Sequence, residues 1–147
     1  MTPCILRSTV AAIAFAGTLA FAAPSMAAMV NFKASLSGKN EIPANTTAGT
    51  GEVTATYDTD SKKLTWKGSY SGLTGPATAA HFHGANPPSP PAGNAKVEIP
   101  ATATSSPFSG SATLTDAQAA ELTAGKWYFN IHTAANKGGE IRGQLTK

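Results

Sequence analysis

Short runs in which every second residue is apolar recur along this chain, and that period is compatible with little except β-strands. Val30 to Ser37 is the clearest. Val30, Phe32, Ala34 and Leu36 fall on one side, with Asn31, Lys33, Ser35 and Ser37 on the other. Glu52 to Tyr57 gathers Val53, Ala55 and Tyr57, and Leu64 to Tyr70 gathers Leu64, Trp66 and Tyr70. Between those two runs, Asp58-Thr59-Asp60-Ser61 offers side chains that bond their own backbone, so the pair predicts a hairpin. Further strands are predicted around Thr78–Gly84, Ala95–Ile99, Ser109–Leu114, Trp127–Thr133 and Glu140–Leu145. In the last of these, Ile141 and Leu145 are assigned to the core, and Glu140, Arg142 and Gln144 to the outside. One short helix interrupts the series. Thr115 and Gln118 have capping-box spacing, and Gly125 is placed to end it. No strand–helix–strand rhythm appears. The predicted fold is all-β: an antiparallel, Greek-key-like β-sandwich of about seven or eight strands with one short helix.

The beginning of the chain is read differently. Arg7 precedes an apolar run from Val10 to Phe21, and Pro24-Ser25-Met26-Ala27-Ala28 offers small residues for cleavage. The run falls short of the ~20 residues that a spanning helix needs. Residues 1–28 are therefore expected to be a Sec-type export signal, and residues 29–147 the mature domain. Secretion or a periplasmic location follows, without a stable membrane anchor. The single cysteine, Cys4, precedes the apolar run and leaves with the signal, so the mature chain has no thiol and no disulfide. Loss of Arg7 leaves ten basic residues against eight acidic ones, a net charge of +2. The basic residues are scattered, so nucleic acid is not an expected partner. An extracellular or envelope protein is the expected one.

The chain has three histidines, all in predicted strands. His81 and His83 stand one residue apart in Ala79-Ala80-His81-Phe82-His83. Period 2 puts their imidazoles on one face, about 6.5–7 Å apart along the strand, while Ala80 and Phe82 face the other way. His132 shares a face with Tyr128 and Asn130, opposite Trp127, Phe129 and Ile131. Neutral imidazole is a preferred ligand of Cu and Zn, so His81, His83 and His132 form a candidate site for one such ion if their strands adjoin. That reading needs the ring nitrogens to meet within about 4 Å, given Zn–N bonds of ~2.0–2.1 Å. The competing reading is a structural envelope or matrix domain in which all three histidines are hydrogen-bonded scaffold. Glu140 and Arg142 share a predicted face, either as a weak surface ion pair or as contacts for an anion beside His132. Together with Asn130 they are candidates for a supporting role around the metal. No catalytic nucleophile, paired-carboxylate or phosphate-loop pattern is present, so no catalytic residue is assigned.

Four motifs carry a family resemblance: Asn40-Glu41-Ile42-Pro43, Tyr70-Ser71-Gly72-Leu73, Thr78-Ala79-Ala80-His81-Phe82-His83-Gly84, and Asn130-Ile131-His132-Thr133 followed by Asn136 and Gly138-Gly139-Glu140-Ile141-Arg142-Gly143-Gln144. Taken together, they resemble the CHRD (chordin-type) domain family. The departures are Phe82, where the family often has Ile, and Lys137, where it often has Pro. The resemblance implies a secreted or periplasmic β-sandwich module with no established activity. The His-x-His strand and the Gly-Gly-x-x-Arg-Gly hairpin are also faintly similar to copper-zinc superoxide dismutase. That enzyme needs further histidines, an aspartate and a disulfide, which excludes its two-metal site here on count.

Overall fold

The computed structural model describes residues 28–84, 95–100 and 104–147. The expected export signal and the proline-rich segment Ala85–Gly93 lie outside the described residues. Among the described residues, no helix is long and apolar enough to cross a membrane.

The alternating runs become eight strands: β1 (Met29–Ser37), β2 (Thr50–Asp58), β3 (Lys63–Ser71), β4 (Ala77–His83), β5 (Ala95–Pro100), β6 (Phe108–Thr113), β7 (Tyr128–Thr133) and β8 (Ile141–Gln144). One helix, α1 (Asp116–Thr123), sits between β6 and β7. Its capping box forms as the spacing predicts, with Thr115 Oγ1 accepting from the Gln118 amide and Gln118 Oε1 accepting from the Thr115 amide. Gly125, at φ +71°, follows the last turn in the left-handed conformation that glycine adopts without strain.

All pairings are antiparallel, and the strands form one sheet in the order β5-β4-β7-β8-β1-β2-β3-β6. The predicted hairpin is β2–β3, in register from Thr50↔Ser71 to Asp58↔Lys63. The expected sandwich would keep two separate sheets. Here two four-stranded halves are joined along a seam between β8 and β1. The seam is short, with Ser37 opposite Arg142 and an isolated bridge from Lys33 to Thr146. Its cause is local. Beyond β8 the chain continues beside β1, and Lys33 and Thr146 exchange backbone bonds of 2.8 and 2.9 Å. An otherwise open strand edge is thereby paired.

The sheet curls until its distant strands meet. Trp66 of β3 packs edge-on against Phe82 of β4, with centroids 5.2 Å apart, and Phe108 of β6 stacks on Phe129 of β7 at 5.6 Å. Phe32, Ala34 and Leu36, Val53, Ala55 and Tyr57, Leu64 and Trp66 all point into this core, as their period predicts. Ala80 and Phe82 join it from β4, and Phe129 and Ile131 from β7. The histidines of β4 and β7 are thereby left on the opposite face.

Candidate metal centre

Strands β4 and β7 are hydrogen-bonded neighbours, with Ala79 opposite His132, His81 opposite Asn130 and His83 opposite Tyr128. This register makes His81 and His132 diagonal neighbours, close enough for long side chains to touch. The expected convergence therefore occurs. The His81 ring lies 4.7 Å from that of His132 and 5.3 Å from that of His83, centroid to centroid. One ring nitrogen from each histidine lies within 4.8 Å of the others. His81 Nδ1 and His132 Nε2 approach to 2.9 Å.

Tetrahedral coordination at ~2.0–2.1 Å sets nitrogens about 3.3 Å apart. The 4.8 Å span of the cluster exceeds the expected 4 Å by less than an ångström. His81 is half-buried, while His83 and His132 are buried. The face is unusual for the outside of a sheet. Every residue of β7 is buried, Tyr128, Asn130 and His132 included, so a polar buried layer backs the apolar one.

Two of the three histidines are held by neighbours. His132 Nδ1 lies 2.9 Å from the Lys137 carbonyl oxygen, an acceptor, so Nδ1 carries the proton and Nε2 the lone pair. Burial pushes the His132 pKa below the usual imidazole value, against the smaller upward pull of that carbonyl, and the neutral, ligating form is favoured. His83 stacks on Tyr128 with centroids 4.7 Å apart and planes 10° apart. The Arg142 guanidinium covers the Tyr128 ring, its carbon 3.4 Å from the ring centroid. Arg142 stands opposite Asn130 in the β7–β8 ladder. The sequence sets it either in a surface pair with Glu140 or beside His132. In the structure it caps the stack that orients His83.

Glu140 departs from its expected place. It precedes β8, is fully buried, and does not face outward beside Arg142. Its carboxylate accepts from Thr47 Oγ1 at 2.7 Å, the Thr74 amide at 2.7 Å, Thr74 Oγ1 at 2.6 Å and Thr133 Oγ1 at 2.6 Å. Burial alone would raise its pKa. The bonds from Thr133, Thr74 and Thr47 outweigh that and hold it at about 2. The physical reason for the misplacement is Gly139, whose φ of +134° breaks the alternation two residues before the strand begins. Among the described residues, the ion pair found is Lys62 with Asp116, on the surface and remote in sequence from the histidines.

No periodicity singles out Glu41, yet it is buried beside the site. The segment after β1 is tied to the β7–β8 hairpin, with Asn40 Nδ2 donating to the Arg142 carbonyl at 3.1 Å and Asn45 Nδ2 to that of Glu140 at 3.0 Å. This carries the Glu41 carboxylate to the space above Gly139, where the amide nitrogen of Asn130 also arrives. Burial pushes the Glu41 pKa up to about 6, opposed by the charge of Arg142, the Ile42 amide and the Asn130 side chain. The signal that the sequence offers for it is its place in the Asn-Glu-Ile-Pro motif.

Gly139 makes this approach feasible, because a Cβ there would collide with Glu41 Oε1 and Asn130 Nδ2. Gly139→Ala also meets a φ of +134°, which L side chains rarely adopt. Its expected cost is about 2 kcal/mol, read as a shift in the urea unfolding midpoint. An unchanged midpoint would mean that the Glu41–Asn130 contact has no role in stability.

Fold and site define an all-β domain with a partly buried histidine cluster on its outer sheet face. The CHRD domain matches residues 32–145, nearly the whole chain, and the protein belongs to that family. No curated protein and no solved structure matches it.

Proposed function

We propose that this CHRD domain is a metal-binding module that takes one Cu or Zn ion through His81, His83 and His132, and that binding, not catalysis, is its task. The observation that carries the reading is the three ring nitrogens within 4.8 Å of one another. Hydrogen-bonded scaffolding accounts for histidines singly. It gives no reason for gathering all three of the chain's imidazoles at one point, with the His132 lone pair turned inward by the Lys137 carbonyl. Imidazole-only coordination suits both Cu(II) and Zn(II), and leaves a position for a further donor. Support for export comes from the basic residue, apolar run and small-residue segment before residue 29. On this reading the ion is carried outside the cytoplasm, and the protein that exchanges it is an extracellular or envelope one.

Calorimetric titration of the purified protein with Cu(II) and with Zn(II) tests the reading. One equivalent should bind, and at a free metal concentration of 100 Kd the fold should gain about 2.7 kcal/mol. The His81→Ala/His83→Ala variant should lose both the heat and the stabilisation. A wild-type protein that takes up neither ion would return the histidines to a scaffold role.

A further inference from the structure

The amide of Asn130 turns its oxygen toward the histidine cluster. Asn130 is 2% exposed. Its Oδ1 lies 3.1 Å from His132 Nε2. The Lys137 carbonyl keeps the proton of that ring on Nδ1, so Nε2 presents a lone pair, and Oδ1 is also an acceptor. His81 Nδ1 stands 2.9 Å from the same Nε2. Any proton on His81 Nδ1 satisfies that nitrogen pair and leaves Oδ1 facing a lone pair. Turning the amide over would give Nε2 a donor. The reversed amide would set Oδ1 against the Glu41 carboxylate, beside which the amide nitrogen now lies as a donor. Two oxygen acceptors enclosed together cost more than either arrangement with the amide N–H between them. Glu41 thus determines which end of Asn130 looks at the histidines, and Gly139 leaves the room for it to do so.

We propose that the Asn130 side-chain carbonyl is the fourth ligand of the histidine site, giving an N3O donor set. Glu41 is its positioning residue: it holds the amide nitrogen and sets a negative charge behind the ion. This rests on the metal reading above and sharpens it. A carbonyl oxygen is a hard donor, and three imidazoles with one such oxygen suit a divalent ion better than Cu(I), which favours soft sulfur ligands. The site is therefore selective for Cu(II) or Zn(II) over Cu(I). Outer residues that orient a ligand typically change affinity by about 10–100-fold when removed.

The test uses Cu(II) as the probe, with affinity read by competition against a chelator and coordination read by electron paramagnetic resonance. Wild type should give a spectrum of three nitrogens and one oxygen. Asn130→Ala should bind at least about 10-fold more weakly, with shifted g and hyperfine values. Glu41→Gln is nearly isosteric and serves if the alanine variant does not fold. It should weaken Cu(II) by about 10-fold and also shift the spectrum, which a purely structural role would not do. If wild type binds no Cu(II), the metal reading fails and this inference falls with it. If wild type binds and both folded variants match it within twofold in affinity and in spectrum, the histidine site stands and the Asn130 assignment is overturned.

Discussion

Glu140→Gln should lower stability at neutral pH by about 3 kcal/mol and remove much of the protein's sensitivity to acid. Two views of the same hydrogen bonds bear on that magnitude. The first counts bonds. Four donors converge on one enclosed carboxylate, and Thr133, one of their sources, is itself fully buried. Hydrogen bonds to a charged group contribute about 1.5–3 kcal/mol each in net terms, and part of the loss is recovered because Thr74 is exposed and can turn to water. The second is linkage. The folded pKa of about 2 lies below the ordinary value of 4.5, so the native state favours the ionised form. A difference of that size corresponds to about 3 kcal/mol. The sign follows from the depression. The contribution is fully present above pH 4.5 and is lost as pH falls toward 2. Urea unfolding at pH 7 and at pH 3 checks it. Wild type should lose stability between the two, and Glu140→Gln should lose less, starting from a lower value. A variant with the wild-type acid slope would show that the threonines do not hold the charge.

Phe129→Ala should be comparably severe, at about 4 kcal/mol, within the range for removing a fully buried aromatic side chain. Phe129 is 0% exposed and bridges strands that are far apart in the sheet. Its ring meets Phe82 of neighbouring β4 edge-on at 4.7 Å and stacks on Phe108 of β6 with planes 9° apart. Truncation empties the place where the curled sheet closes on itself, and these neighbours are backbone-anchored on β4 and β6, so collapse into the gap is limited. Guanidinium unfolding measures the cost. A loss under about 1 kcal/mol would mean that the two halves of the sheet pack independently of this ring.

Phe129 and Glu140 differ in how far their neighbours in the chain specify them. The sequence alone names Phe129 as core, because it alternates with Tyr128 and Asn130 in an unbroken period of two. Glu140 is not specified in this way. The same period, carried back from Ile141 through Gly139, points it to solvent, and only the positive φ of Gly139 turns it into the threonine nest. Arg142 is on the predicted face, but its partner across the ladder is Asn130 and its contact is Tyr128, neither of which the spacing specifies. Glu41 shows no period at all. It reaches the site because Asn40 and Asn45 bond hairpin carbonyls about a hundred positions further on, at Arg142 and Glu140.

Strand identity, the inward or outward sense of most side chains, the cap and the stop of the helix are properties of neighbouring residues, and the sequence by itself determined them. Period and turn chemistry act within a few positions of the chain. The joining of the halves at β8–β1, the adjacency of β4 and β7, and the meeting of His81 with His132 across 51 positions belonged to the tertiary structure. Any antiparallel strand offers the same backbone edge to any other. Which edges pair is decided by the packing of the whole core, and no local pattern carries that choice.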